Sequence, residues 1–417
     1  MIAKEDVLTA KEISKFTSKL DKMIKPNRKA DLWLYNGDVG LVLYFYYMSL
    51  FNENSDDLNK SLSLLEEQFE NVQNYMYNFK FGYGIPGLSW LIQLLVNKGV
   101  INEENAASLV EIDDHINQAL NYNNEEGLYD LFIGSIGKGL YFLERLSFAK
   151  AKKSNDDVVR LIEILSSIVV GFDGTAIRND QGLYWLDDYT SGYEDYRDGE
   201  SYIGIGMSHG TPSVIYFLGH CHRLNIETEK CERLIKGASD WLLSQEDGLN
   251  SFPTKVYPDG ETVESYDLSW CYGIFSVAIS LLISGSVLND KSKWEKAVSI
   301  VNTAASVNVY EYEIHKVNNK RNLFFCHGTS GIAYMFHKFY TLIPSDSLKS
   351  TRDQWVQLTI KDFGQYGVND FNEYTVQIIE GLPGINLALL SILNPSIDPF
   401  WDKMFLLDLD KFSKCEI

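Results

Sequence analysis

The chain has 417 residues, 45% hydrophobic and 13% aromatic, the composition of a globular protein with apolar material for a large core and not of a disordered chain. Its 37 lysines and arginines against 57 aspartates and glutamates leave a net charge of −20, which argues against a nucleic-acid partner because such binding draws on phosphate neutralisation by cations. Length alone does not decide between one domain and several.

The N-terminus, Met-Ile-Ala-Lys-Glu-Asp, lacks the basic-then-apolar order of a secretory signal, so cytoplasmic residence is expected, with a peripheral place in a membrane-associated complex left open. The longest apolar run, residues 39–51, falls short of the ~20 residues that cross a bilayer, and no transmembrane segment is expected. Five scattered cysteines (Cys221, Cys231, Cys271, Cys326 and Cys415) suit a reduced compartment better than a disulfide framework.

Along the chain a short glycine signature recurs seven times: Gly37-Asp-Val-Gly40, Gly84-Ile-Pro-Gly87, Gly134-Ser-Ile-Gly137, Gly210-Thr-Pro-Ser213, Gly273-Ile-Phe-Ser276, Gly328-Thr-Ser-Gly331 and Gly381-Leu-Pro-Gly384. The starts lie 47, 50, 76, 63, 55 and 53 residues apart, a period that fits one helical hairpin per repeat. After each signature the chain is apolar nearly all round, as in Leu41-Val-Leu-Tyr-Phe and Val277-Ala-Ile-Ser-Leu-Leu-Ile, which predicts a buried helix. Between signatures lie amphipathic segments; Leu58, Leu62, Leu65, Phe69, Val72 and Met76 predict one apolar stripe on an outer helix.

Seven pairs of outer and inner helices predict an all-α fold, an α/α toroid or double-layered barrel of seven helical hairpins, over residues 1–417 as a single domain. An open solenoid is the alternative, since periodicity does not show closure. The long third interval, rich in aromatic and turn residues, predicts a small β or loop insertion at about residues 171–205.

Cys271, in Ser269-Trp270-Cys271-Tyr272-Gly273, and Cys326-His327, in Phe325-Cys326-His327-Gly328, stand just before signature glycines. Equivalent positions of a closed toroid converge on one end of the barrel, so Cys271, Cys326 and His327 form a candidate Cys2His set. Three protein ligands with the fourth position open is the composition of a catalytic zinc site, whereas structural sites close the tetrahedron. Either cysteine alone would read as a small core residue. His209, in Gly206-Met-Ser208-His209-Gly210, is at the same place in its repeat and is a candidate fourth ligand, general base or buried histidine. Asp130, four residues before Gly134, has helix capping as its ordinary role. In His220-Cys221-His222 the residues are one and two apart on a helix and do not share a face, so packing or surface roles are expected. His115, His315, His337, Cys231 and Cys415 belong to no constellation.

These residues carry a family likeness. With Ser208-His209-Gly210, Trp270-Cys271-Tyr272-Gly273 and Cys326-His327-Gly328 in that order and spacing, the chain resembles the lanthionine cyclases (LanC-like proteins), the zinc enzymes of lantibiotic maturation, over essentially its whole length. The resemblance implies a seven-fold α/α toroid with one Zn2+ on Cys271, Cys326 and His327, water or a substrate thiolate as fourth ligand, His209 and Asp130 as acid/base residues, and Tyr272 nearby. It implies lanthionine synthetase activity: a cysteine thiolate of a dehydrated precursor peptide, leader plus core, adds to a dehydroalanine or dehydrobutyrine to close a thioether ring. A separate dehydratase is then an expected partner and an exporter complex a further one. Relatives commonly carry arginine four residues before the first zinc cysteine; here that position is Asp267, which reverses the sign of any charge assistance. Two other classes stay open: a zinc protein that binds a thiol or peptide without turnover, and an α/α-barrel carbohydrate or isoprenoid enzyme in which the cysteines would be idle.

Overall fold

Each of the seven glycine signatures starts a helix. The computed structural model describes residues 10–27, 33–72, 77–187, 201–314, 316–371 and 374–412. In chain order its helices are α1 (Ala10–Ile24), α2 (Asp38–Asn52), α3 (Ser55–Asn71), α4 (Ile85–Asn97), α5 (Glu104–Ala107), α6 (Leu109–Glu126), α7 (Ser135–Lys152), α8 (Asn155–Thr175), α9 (Thr211–Arg223), α10 (Thr228–Ser244), α11 (Ile274–Leu288), α12 (Lys291–Ala305), α13 (Thr329–Leu342), α14 (Asp346–Phe363) and α15 (Leu382–Leu393). Gly37, Gly84, Gly134, Gly210, Gly273, Gly328 and Gly381 are the N-cap residues of α2, α4, α7, α9, α11, α13 and α15. These seven helices are buried nearly all round; in α11 every residue from Ile274 to Gly285 is out of solvent. The intervening helices are amphipathic, as in α8, which buries Leu161, Ile164, Leu165, Ile168, Val169 and Phe172 at three- and four-residue spacing.

The fourth residue of the signature is small because the chain folds back on itself there. A Cβ on Gly331 would lie 1.8 Å from the carbonyl oxygen of Phe325, six residues upstream, a backbone atom that cannot step aside. In the fifth copy Ser276 stands at this place, and its Oγ reaches the carbonyl oxygen of Trp270, again six residues upstream, at 3.5 Å. Gly273 adopts φ +103, a region that side-chain-bearing residues rarely enter.

The chain separates into two compact units, Met1–Asn71 with Asn302–Asp402, and Val72–Val301 with Lys403–Ile417. In the first, α2, α13 and α15 form the core, with α3 packed on α2, α14 on α13 and α1 on α15. Trp401 closes that core, its Nε1 donating to Ser391 Oγ at 3.0 Å. The α3 stripe differs from the sequence expectation. Asp57, Ser61, Leu64, Leu65 and Gln68 turn inward, while Phe69 is 38% exposed. Local polar partners favour this rotation, since Asp57 accepts from Lys25 at 2.8 Å and Ser61 Oγ donates to the carbonyl of Val42 at 2.7 Å. Met76 lies outside the described residues.

In the second unit α4 packs on α7 and α9 on α11, with α8 and α10 lying against α7 and α9. A buried ion-pair cluster fixes α6 to α7. Asp113 accepts from Arg145, from the Tyr141 hydroxyl and from Arg160. The expected β excursion is present in part. Strands β1 (Ile177–Asn179) and β2 (Gly182–Tyr184) form an antiparallel hairpin beginning just beyond α8, which itself occupies residues 171–175. β3 (Ile203–Gly204), β4 (Pro253–Val256) and β5 (Thr262–Ser265) form a three-stranded antiparallel sheet. Residues 188–200, the centre of that expected insertion, lie outside the described residues. No helix among the described residues is long and apolar enough to cross a membrane.

Candidate metal centre

Two loops of the second unit press together ahead of their helices. A Cβ on Gly206 would lie 2.2 Å from the carbonyl oxygen of Cys271, and Gly273 donates its N–H to the carbonyl of Ile205 at 3.3 Å. This clamps residues 206–209, which precede α9, against residues 271–273, which precede α11. Cys271 is 4% exposed and stands at the start of α11, where the helix's partial positive charge favours an ionised sulfur. Its neighbour Trp270 anchors the loop, with the indole Nε1 donating to the carbonyl of Phe405 at 2.8 Å and the ring edge-on to that of Phe405. Ser208 Oγ sits 2.8 Å from Cys271 Sγ.

His209 is part-buried, and its Nδ1 is hydrogen-bonded to Asp130 Oδ2. Asp130 does two things at once. Its Oδ1 accepts the backbone N–H groups of Phe132 at 2.7 Å and Ile133 at 2.9 Å, holding the loop before α7, while Oδ2 takes the imidazole. Phe132 lies against the imidazole at 5.1 Å between ring centroids, and Tyr272 faces it at 6.4 Å. Burial pulls the His209 pKa down, but the carboxylate of Asp130, with smaller contributions from Cys271 and Asp187, outweighs it and raises the value to about 10. The carboxylate therefore favours the imidazolium form at neutral pH and orients the ring, with Phe132 and Tyr272 beside it.

In the first unit Cys326 and His327 end the loop before α13. Phe324 packs against Tyr374 and Phe325 against Trp401, so the two residues before the cysteine are both sunk in the core. Cys326 donates its backbone N–H to Ile379 at 3.0 Å. Cys326 is 4% exposed, and His327 is half-buried.

A polar residue recurs six places before the signature glycine in three loops, a recurrence the sequence reading missed although it noted Asp267 as the place of an arginine in relatives. The Oδ1 atoms of Asn78, Asp267 and Asn322 each accept the N–H two residues on, at 3.1, 2.5 and 2.8 Å, and their carbonyls accept from the residue after the glycine. Asp267 thus shapes the Cys271 loop in the way Asn322 shapes the Cys326 loop. Ser208 and Trp270 stand inside the motifs that carry the family likeness but were given no role there, and Phe132 is a further site residue with no signal of its own in the sequence.

The other histidines and cysteines sit differently. His220 is buried against Tyr216 and Phe412, and burial lowers its pKa to about 4; His222 pairs with Glu232 at 2.9 Å. Burial also lowers His337, to about 3. Cys221 and Cys231 lie within α9 and α10, and burial raises both thiols, Cys231 to about 12. Those are inert core thiols. Cys271, in the second unit, and Cys326, in the first, instead stand at helix entrances, each in a loop that presents a sulfur, and thiolate and imidazole are donor types that suit zinc. His115 is exposed on α6, and His315 and Cys415 lie outside the described residues.

A family model described as "Lanthionine synthetase C-like protein" matches residues 29–406. Among solved structures the chain is similar to one described as "Nisin cyclase", with a TM-score of 0.70 and 18% sequence identity, covering 96% of this chain and 98% of that one. No curated protein sequence matches. At that identity the structural likeness carries the fold, which is all-α and of the α/α-toroid class expected from the repeat.

Proposed function

The chain belongs to the lanthionine synthetase C-like family, and from that membership and the site chemistry we propose that it is a zinc-dependent cyclase forming lanthionine or methyllanthionine rings in a dehydrated precursor peptide. Cys271, Cys326 and His327 are the residues that would hold the metal. When bound, zinc supplies a cation that favours the thiolate of a substrate cysteine near neutral pH.

The thiolate sulfur forms a bond to the β-carbon of a dehydroalanine or dehydrobutyrine, the C=C π electrons move to the α-carbon and its carbonyl, and a proton then arrives at the α-carbon. Overall one S–H adds across one C=C, so no oxidant or further reactant is needed. His209 is the proton donor to the α-carbon in this reading. Asp130 fixes its Nδ1, which leaves Nε2 to face the reacting carbon, and stabilises the imidazolium before transfer. Phe132 and Tyr272 lie beside the ring, at 5.1 and 6.4 Å between centroids. The substrate has to arrive dehydrated, which assigns that step to a separate dehydratase; an exporter complex would follow.

The observation that carries the reading is the Asp130–His209 pair packed beside the Cys271 loop, because it sets a charged proton donor next to a thiol at a helix entrance. A synthetic peptide with one dehydroalanine and one cysteine tests it. Ring closure leaves the mass unchanged and removes one alkylatable thiol, and retention of the full thiol count with zinc-loaded protein would overturn the proposal.

A further inference from the structure

Ser208 is fully buried, one residue before His209, and its hydroxyl touches Cys271 twice, at 3.1 Å from the carbonyl oxygen and 2.8 Å from Sγ. A serine hydroxyl has one proton to give and can accept through its lone pairs. With Cys271 as a thiol, both contacts are met in one way: the S–H donates to Ser208 Oγ, and the hydroxyl proton goes to the Cys271 carbonyl. A sulfur that would hold a metal carries no S–H, so at 2.8 Å the Ser208 hydroxyl is the group placed to donate in that contact. A hydrogen bond to a charged acceptor is roughly twice as strong as a neutral one, which favours the sulfur over the carbonyl as the acceptor of that hydroxyl.

We infer that Ser208 is a positioning residue for the metal site: its buried hydroxyl, 2.8 Å from Cys271 Sγ, is placed to donate to the sulfur that would hold the metal and so would draw electron density from it. The inference rests on the metal role proposed for Cys271. Its effect follows from the way outer hydrogen bonds tune a metal site. A thiolate that accepts a hydrogen bond donates less charge to the metal, which leaves the metal a stronger Lewis acid toward the substrate sulfur. The clamp between the two loops makes the device rigid, since Gly206 and Cys271 are in backbone contact and neither loop can move the hydroxyl away alone.

Cobalt(II) alone, loaded in place of zinc, is the probe. Its thiolate-to-metal charge-transfer band reports the energy of the sulfur lone pairs and needs neither substrate nor turnover. In Ser208→Ala the band is expected at longer wavelength than in the unaltered chain, because the sulfur loses its hydrogen bond, while Ser208→Thr, which keeps the hydroxyl, is expected to hold the original position. Helical circular dichroism on the same samples shows that each variant is folded. A band that Ser208→Ala leaves in place would overturn this inference alone. If the unaltered chain gives no thiolate band with cobalt, the metal reading falls and this inference with it.

Discussion

Asp130 and His209 meet across 79 residues of sequence, and a single carboxylate links the loop before α7 to the imidazole before α9. The pair ties proton chemistry to fold stability. His209 is raised from 6.5 to about 10, so it binds its proton more tightly folded than unfolded. Its contribution to stability is therefore fully present below about pH 6.5 and is lost as pH rises through about 10. In metal-free protein the melting temperature should fall across this window. Asp130→Asn retains an Oδ1 acceptor for the loop but loses the charge, and should flatten that dependence and lower the melting temperature at pH 7. Identical profiles for the two proteins would show that the pair is not ionised as described.

Backbone contact at the repeat signature makes a second prediction. A Cβ on Gly331 would enter the carbonyl oxygen of Phe325 at 1.8 Å, and the residue after Phe325 is Cys326. Gly331→Ala should cost ~1–3 kcal/mol through overpacking and weaken zinc retention by shifting that loop. Gly174→Ala is the control, because nothing lies within 4 Å of its Cβ, and it should leave stability unchanged or slightly raised. Chemical denaturation of both variants reads the difference; equal midpoints would contradict the role given to the signature glycine.

Much of this was legible in the sequence, because small residues at a fixed place ahead of apolar runs report close backbone approach. All seven signatures start buried helices for that reason. Side-chain rotation was less legible. The α3 stripe turned Asp57 and Ser61 inward because they find local partners, which a count of apolar residues does not register. Asp130 read as a capping residue is half of its role, since a carboxylate has a second oxygen and only the fold brings His209 to it. Asp267 looked like a lost arginine. In the structure it shapes its loop as Asn78 and Asn322 shape theirs, a local pattern visible only once the three loops are aligned on their glycines.

The buried cluster on α6 and α7 should be the most sensitive polar site away from the metal. Asp113 is inaccessible and takes Arg145, Arg160 and the Tyr141 hydroxyl, with Arg145 only 6% exposed. Asp113→Ala leaves a buried guanidinium uncompensated and is expected to cost ~3–5 kcal/mol. Adding Arg145→Leu should restore a large part of the loss. A cost under about 1 kcal/mol for Asp113→Ala would show that water reaches the cluster, as at a surface pair.

Zinc should be dispensable for the helices and essential for ring closure. The buried helices α2, α4, α7, α9, α11, α13 and α15 are held by apolar contact within their own units, so chelation should leave the far-ultraviolet circular dichroism nearly unchanged while activity is lost. Cys271→Ala and Cys326→Ala should each lower the metal content from one ion per chain, measured by elemental analysis. Helicity that collapses with the chelator would mark the metal as structural.

His209→Asn separates a proton donor from a ligand. A ligand role for His209 would give four protein donors with Cys271, Cys326 and His327, closing the position that the substrate sulfur needs. The structure supplies a competing commitment for the ring, since its Nδ1 is taken by Asp130 and Phe132 lies against it at 5.1 Å between centroids. Asparagine is close in size and polar, so the loop before α9 should keep its shape and the metal content should stay near that of the unaltered chain. It cannot deliver the proton to the α-carbon. General acid groups typically contribute ~10²–10⁴-fold, and ring formation in a single turnover should slow by that order. Zinc content and single-turnover rate on the same preparation decide the matter: a variant that loses both would make His209 a ligand, and one that keeps both would remove it from the reaction.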